Sequence, residues 1–186
     1  MRIISGKFKG KKLFTPNNNE IRPTSDRAKE MIFNTLSSYL IKKKINFSNL
    51  IVLDCFCGSG AIGLEFLSRG AKEVIFVDNS SESVNLAQKN YQSLNTKQKV
   101  TFLSIDYKKI NFCEPKINFF YLDPPYKKIN IEDILFSFSF KNILANNVLG
   151  IIEVPINSEL KALKGFKIWG EKKVSKSLFY FIEKKG

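Results

Sequence analysis

Histidine is absent from the 186-residue sequence, and cysteine is scarce. Without histidine the chain cannot form a Ser-His-Asp triad, use an imidazole general base or bind a metal through imidazole. Cys55, Cys57 and Cys113 are too few and too irregularly spaced for a zinc site, and their odd number suits a reduced, intracellular chain. We therefore expect no metal, and any catalysis must use other side chains.

Long hydrophobic runs are also missing. No segment approaches the roughly 18 apolar residues of a membrane helix, and the first residues lack the apolar stretch of a signal peptide. Hydrophobic residues at 44% and charged residues at 25% are typical of a globular protein. We expect a cytoplasmic monomer without a membrane partner, with residues 1–186 forming one domain.

Acidic residues are few, 17 against 30 Lys and Arg, which leaves a net charge of +13. An AT-rich coding sequence would raise the lysine content without any functional demand. The excess is uneven, however: residues 1–45 carry eleven basic and three acidic side chains, whereas residues 46–126 carry eight of each. This concentration favours a polyanionic partner bound near the N-terminus.

The first 45 residues predict a basic extension to the rest of the chain. Residues 1–15 are typical of a hairpin of two short strands around Gly6 and Gly10. The sequence from Pro23 to Asp26 then favours a helix start, and the apolar spacing that follows predicts an amphipathic helix ending near residues 42–44.

From Leu50 onward, strands, turns and helices alternate, which predicts a mostly parallel sheet covered on both faces. The last two strands are too close for a crossover helix and must form an antiparallel hairpin around Glu171–Lys173. The fold class predicted is α/β, with seven strands in residues 46–186. The strands are expected at 50–54, 73–78, 99–104, 117–123, 148–154, 166–171 and 176–183, and helices at 61–69, 81–95 and 131–144, with a short turn at 107–112.

A glycine-rich turn follows the first of these strands and has the G-x-G-x-x-G spacing at Gly58, Gly60 and Gly63. With Asp78 at the end of the next strand, the spacing suits a dinucleotide, although glycines alone indicate only a tight turn. Asp54 argues against a pyrophosphate, because two anions would repel at the helix start. A cationic sulfonium with an ammonium group would instead be attracted, which points to S-adenosylmethionine.

Asp106 follows the third strand and could accept a hydrogen bond from an adenine amino group, with Phe56 or Tyr107 stacking on the ring. Taken alone, Asp106 is as compatible with a solvated loop carboxylate as with a ligand contact. Its interpretation depends on the motif after the fourth strand.

That motif is Asp123-Pro124-Pro125-Tyr126. Prolines donate no N–H, so carbonyl oxygens and the Asp123 carboxylate together form a site for an N–H donor. An exocyclic base amine held there would direct its lone pair at a methyl donor, and Tyr126 could stack on the flipped base. A proline-stiffened turn is the purely structural alternative, but the position at a strand's carboxyl end favours catalysis.

The whole pattern resembles the bacterial small-subunit (16S) ribosomal RNA guanine-N2 methyltransferases of the RsmD family. The similar segments are MRIISGKFKGKKL, IRPTSDRAKEMIFN, LDCFCGSGAIGLEFLSRGAKEVIFVD and DPPY. DPPY alone indicates amino methylation in general, whereas the R-I-I-S-G opening and R-P-T-S-D-R are more family-specific. The resemblance implies a Rossmann-like class I methyltransferase fold, S-adenosylmethionine as cofactor with S-adenosylhomocysteine as product, and guanine as the target base.

The site residues expected from the residues and the resemblance together fall into three sets. Catalysis is assigned to Asp123, Pro124, Pro125 and Tyr126. Cofactor binding is assigned to Thr24, Asp54, Phe56, Gly58, Ser59, Gly60, Asp78, Asn79, Asp106 and Tyr107. RNA binding is assigned to Lys7, Lys9, Lys11, Lys12, Arg22 and Arg27, and we expect the RNA to be presented on a 30S particle.

Two other functions stay open from sequence alone. One is an adenine-N6 methyltransferase acting on DNA or another RNA, although the short chain shows no separate target-recognition domain. The other is a non-catalytic RNA-binding or assembly factor that retains the fold, against which the intact Asp54 and Asp123 motifs argue.

Overall fold

A sheet of seven strands runs through the part of the chain that the structure describes. The computed structural model describes residues 1–15, 24–111, 114–125, 130–158, 160 and 163–185, without the side chain of Phe140. Its strands are β1 (Ile51–Cys55), β2 (Glu73–Asp78), β3 (Lys99–Ser104), β4 (Ile117–Leu122), β5 (Leu144–Pro155), β6 (Phe166–Val174) and β7 (Ser177–Lys184). Its helices are α1 (Asp26–Lys42), α2 (Ala61–Ser68), α3 (Ser81–Ser93) and α4 (Ile131–Phe140), with 3₁₀ turns at Phe47–Asn49 and Tyr107–Lys109.

The strand order is β3-β2-β1-β4-β5-β7-β6. The first five strands of this order are parallel, whereas β7 runs antiparallel between β5 and β6. The predicted α/β class and the antiparallel C-terminal hairpin are therefore confirmed. The order reverses between β1 and β4, and in such sheets ligands bind beyond the carboxyl ends of the strands at that point.

Two apolar layers cover the sheet, one on each face. Helices α1 and α2 pack on one face, where Phe33, Phe66 and Phe119 are fully buried and in ring contact. Helix α4 packs on the other, where Phe120 and Phe138 meet edge to face. Because both faces are covered, the residues of β1 are buried on both sides of the strand instead of alternating between buried and exposed, and Asp54 is its one charged side chain.

Several predicted boundaries were wrong. Helix α4 ends at Phe140 rather than at residue 144, since Asn142 adopts a left-handed conformation (φ +52°) and ends the helix there. Strand β5 consequently begins at Leu144. Strand β6 extends through residues 171–173, and the hairpin turn is made by Ser175 and Lys176, with Ser175 at φ +55°.

The N-terminal hairpin also differs from the prediction of two strands. The two arms of the hairpin pair through one β-bridge, between Arg2 and Lys12, with three adjoining backbone hydrogen bonds. The amides of the turn bond instead to α2: the Ile4 and Ser5 N–H groups donate to Glu65, and the Lys7 N–H donates to the Ser68 carbonyl. The hairpin is therefore held against α2 rather than by its own ladder.

Candidate active site

Two adjoining pockets open at the carboxyl ends of the parallel strands. The loop pocket lies beside the glycine-rich turn, and the β2–β3 cleft lies beside the ends of β2 and β3. Phe56 lines both, so the two adjoin at that side chain. The loop pocket contains the predicted residues Thr24, Asp54, Phe56, Gly58, Ser59 and Asp123. The cleft contains the predicted residues Phe56, Asp78, Asn79, Asp106 and Tyr107.

The glycine-rich turn takes its shape from two different properties of glycine. Gly60 is the N-cap of α2 and has a left-handed backbone conformation (φ +75°), which residues other than glycine rarely adopt. Gly63 is needed for space, because a Cβ there would lie 2.3 Å from the Phe76 ring and 2.9 Å from Asp54 Oδ2. Gly60 is buried and, unlike the other predicted cofactor residues, shapes the turn without lining either pocket.

Asp54 is a buried carboxylate at the centre of the loop pocket. Its Oδ2 accepts a hydrogen bond from the Gly63 N–H at 2.8 Å, so it anchors the first turn of α2. Burial raises the pKa of Asp54 to about 7, with the Asp78 charge adding to the shift and the Gly63 bond opposing it. A bound cation would favour the ionised form and lower this pKa.

Asp78 connects the glycine-rich turn to the start of α3. Its Oδ2 accepts from the Gly58 N–H at 3.0 Å and its Oδ1 accepts from the Ser80 N–H at 2.9 Å. Each carboxylate oxygen has a further lone pair, so the half-buried side chain can still accept from ribose hydroxyls in the cleft. The structure thus places Asp78 where the sequence predicted it.

Asp106 and two aromatic rings form the far end of the cleft. Asp106 Oδ1 accepts from the Lys108 N–H and caps the 3₁₀ turn at Tyr107–Lys109. The Phe56 and Tyr107 rings lie 5.8 Å apart and are tilted by 53°, with Tyr107 buried and Phe56 half-buried. An apolar ring beside a carboxylate suits a planar base that carries an amino group.

The Asp123 motif begins where β4 ends. Asp123 lines the loop pocket together with Asp54, Pro124 is buried and Pro125 is exposed. The structure therefore brings the predicted catalytic carboxylate to the predicted cofactor loop, two segments that are far apart in sequence. The remaining residue of the predicted catalytic motif, Tyr126, lies outside the described residues.

A buried pair beside Asp123 was missed by the sequence analysis. Tyr121 lines the loop pocket, and its hydroxyl donates to Glu153 on the neighbouring strand. Burial, then the charges of Glu153 and Asp123, raises the pKa of Tyr121 well above its usual value, so the phenol keeps its proton. The only signal in the sequence is an acidic residue within the apolar run of β5.

The predicted RNA-binding lysines are all exposed on the N-terminal hairpin, and Arg27 is exposed near the start of α1. Arg22 lies outside the described residues. Asp26, in the first turn of α1, forms ion pairs with Arg2 and Lys29. Ser25 rather than Thr24 is the N-cap of α1, which leaves Thr24 in the loop pocket.

Within the described ranges, no group of three or more Cys, Asp or Glu residues could hold a metal ion. Among those same residues, no helix has the length and apolar character needed to cross a membrane.

Comparison with known proteins gives the site its context. A family model described as conserved hypothetical protein 95 matches residues 1–183. Ribosomal RNA small subunit methyltransferase D of Haemophilus influenzae is 32% identical over 176 residues, which cover 92% of this chain and 88% of that protein. The chain belongs to the RsmD family. The Escherichia coli protein of the same name is 29% identical over 86% of this chain and 77% of its own length.

Solved structures agree with a methyltransferase fold. The Escherichia coli protein yhhF superposes with a TM-score of 0.83 at 26% identity, covering all of this chain and 98% of that one. A Thermus thermophilus 16S rRNA N2 methyltransferase, RsmC, solved in complex with AdoMet and guanosine, superposes with a TM-score of 0.67 at 21% identity. It covers 89% of this chain and 45% of that one, and it shows the shared methyltransferase fold.

Proposed function

We propose that this RsmD-family protein transfers a methyl group from S-adenosylmethionine to the exocyclic N2 amine of a guanine in small-subunit ribosomal RNA. The observation that carries the proposal is the position of Asp123, which shares the loop pocket with Asp54 and Thr24. The names of the relatives support a ribosomal RNA substrate. Guanine as the target base rests on the family resemblance.

The described residues fit the proposed cofactor. Asp54 can attract the cationic groups of the cofactor, and Asp78 can accept hydrogen bonds from the ribose hydroxyls. The end of the cleft near Asp106 can hold the adenine ring. S-adenosylmethionine, when bound, supplies an electrophilic methyl group on a sulfonium. The protein's own contribution is alignment: holding the acceptor in line with the methyl group can contribute up to roughly 7–11 kcal/mol.

Asp123 orients the target amine by accepting a hydrogen bond from one of its N–H groups, and the Pro124 carbonyl accepts a hydrogen bond from the other. No general base with a pKa near neutrality is needed, because the proton leaves after the methyl group arrives. This agrees with a chain that contains no histidine.

The decisive experiment is to incubate the protein with small-subunit particles and isotopically labelled cofactor, then map modified nucleotides by mass spectrometry. We expect one N2-methylguanine in the small-subunit RNA, made more efficiently on the particle than on protein-free RNA. Methylated adenine would support the adenine-N6 alternative. Cofactor binding without any methyl transfer would support an assembly factor.

Cofactor affinity should fall as the pH drops below about 7. The pKa of Asp54 is about 7 in the free protein, so at lower pH the carboxyl group must lose its proton to attract a cation. Calorimetry between about pH 5.5 and 7 should show affinity decreasing by up to tenfold per pH unit, with proton release on binding. The Asp54→Asn variant should bind the cofactor more weakly, with an affinity that does not depend on pH in this range. An affinity of the unmodified protein that is also independent of pH would contradict the role of Asp54.

Replacing the four hairpin lysines with glutamine should weaken RNA binding in a salt-dependent manner. Lys7, Lys9, Lys11 and Lys12 are exposed and can each neutralise one phosphate. The slope of log affinity against log salt should fall by roughly 3 for single-stranded RNA, with cofactor affinity unchanged. A charge-matched control replaces four exposed lysines elsewhere, namely Lys97, Lys109, Lys164 and Lys185. Equal slopes in the two variants would refute docking by the hairpin.

A further inference from the structure

A surface groove lies between α1 and the edge strand β6. It has a volume of about 510 Å³ and is lined on the α1 side by Asn34, Thr35, Ser38, Tyr39 and Lys42, and on the β6 side by Trp169 and Lys172. Within the part of the chain that the structure describes, its lining contains no acidic residue. We call it the α1–β6 groove.

Aromatic rings form one wall of the α1–β6 groove. Tyr39 and Trp169 are stacked, with ring centroids 3.6 Å apart and planes 7° apart, and Phe181 packs behind Trp169 at 5.1 Å. The Tyr39 hydroxyl donates to Glu183, which fixes the ring. The indole Nε1 of Trp169 is buried without a hydrogen-bond partner among the described residues. This wall is flat, rigid and apolar, with one unused donor.

The rim of the α1–β6 groove is positively charged. Lys42 and Lys172 are exposed, and neither forms an ion pair within the described ranges. Lys43, next to the groove, lies 5.3 Å from the centre of the Tyr39 ring and pairs with Glu183. Uncompensated cations beside aromatic side chains are the chemistry that single-stranded nucleic acids require.

Strand register connects this groove to the active site. On β4 and β5, Leu122 pairs with Ile152, so the next residues, Asp123 and Glu153, are at the same level. Glu153 pairs with Phe179 on β7, and Phe179 pairs with Lys172 on β6. The four positions form one row across β4, β5, β7 and β6. Three strand spacings separate Asp123 from Lys172, or roughly 14 Å, a span that a few nucleotides can cover.

The α1–β6 groove also meets a groove beside the N-terminal hairpin. That hairpin groove, of about 500 Å³, is lined by the basic residues Arg2, Lys9, Arg27 and Arg69 and by the acidic residues Asp26 and Glu30. Asn34 lines both grooves. Asn34 on α1 therefore lies between the hairpin groove and the Lys42 and Lys172 rim.

We infer that the α1–β6 groove binds a single-stranded segment of the RNA substrate that flanks the target nucleotide. Lys42 and Lys172 contact its phosphates, and the Tyr39–Trp169 wall contacts its bases. The inference rests on the proposed function for its choice of ligand. It adds a second docking surface to the hairpin and gives it a position relative to Asp123.

Trp169 is the chain's one tryptophan, so its fluorescence reports directly on this groove. The full chain is titrated with a single-stranded RNA of about 10 nucleotides, within the range of single-strand site sizes. Total binding is followed in parallel by the anisotropy of end-labelled RNA. We expect the Trp169 emission to change with the same midpoint as the anisotropy.

The test variant is Lys42→Glu with Lys172→Glu, both at exposed positions, and the control is Lys173→Glu. Lys173 is also exposed but pairs with Leu178, on the opposite face of the sheet. The double variant should bind about tenfold more weakly at low salt. A milder variant with glutamine at both positions should reduce the slope of log affinity against log salt by roughly 1.4. The Lys173 variant should match the unmodified protein.

Three results would overturn the inference. The first is an anisotropy change that shows RNA binding while the Trp169 emission stays unchanged. The second is an equal loss of RNA affinity in the double variant and in the Lys173 control. The third is a change in Trp169 emission with small-subunit particles but not with RNA. The last would indicate a protein ligand. Failure of the proposed function gives a different result, namely no methyl transfer by the unmodified protein.

Discussion

Replacing Asp123 with alanine should abolish methyl transfer while the protein stays folded. The half-buried side chain lines the loop pocket at the end of β4, where it can hold the acceptor amine. Loss of one pre-organised polar contact at a reacting group costs about a hundredfold or more in rate. Single-turnover methylation of small-subunit particles measures the chemical step directly.

The matched control for Asp123 is Glu82→Ala, which removes an exposed carboxylate from the first turn of α3. It should leave turnover unchanged. Thermal unfolding of both variants should resemble that of the unmodified protein. A near-normal single-turnover rate in the Asp123 variant would exclude its role in positioning the amine.

Replacing Glu65 with alanine should detach the N-terminal hairpin and strongly destabilise the protein. Glu65 is fully buried, accepts from the Ile4 and Ser5 N–H groups at 2.9 and 3.0 Å, and pairs with Arg69 at 3.2 Å. Its removal leaves two amides and a mostly buried guanidinium without their acceptor. Losing one partner of a buried ion pair costs about 3–5 kcal/mol, which denaturant unfolding can measure.

Glu65→Gln is the informative companion variant. Its amide oxygen can replace one acceptor, so we expect a smaller loss of stability than with alanine. Limited proteolysis should cut the first 15 residues of the alanine variant faster than those of the unmodified protein. Equal protection and equal stability would show that the hairpin is held by other contacts, such as those to Ser68.

The order of the elements was predictable because each depends on local sequence. The apolar run of β1, the glycines after it and the spacing along α1 identify strand, turn and helix without any knowledge of the partner segments. The row of carboxylates was predictable for a related reason: Asp54, Asp78 and Asp123 each end a strand or lie near its end. Parallel strands bring their carboxyl ends to one edge.

The remaining features depend on contacts between distant segments. Lys29 resembles a solvent-exposed residue in the sequence, yet it is fully buried, where it donates to the Arg2 carbonyl and pairs with Asp26. Glu65 is buried because the hairpin covers it, and Glu153 because Tyr121 reaches it from β4. No periodicity within α1, α2 or β5 contains that information, since the partners are 27 to 61 residues away.

The carboxylates around the glycine-rich turn bear on product release as well as on binding. In the proposed reaction the sulfonium becomes a neutral thioether, so the ligand loses one positive charge while Asp54 and Asp78 stay in place. Attraction between pocket and ligand therefore weakens at the moment of transfer. The spent cofactor is then held less strongly than a fresh one, which favours its exchange.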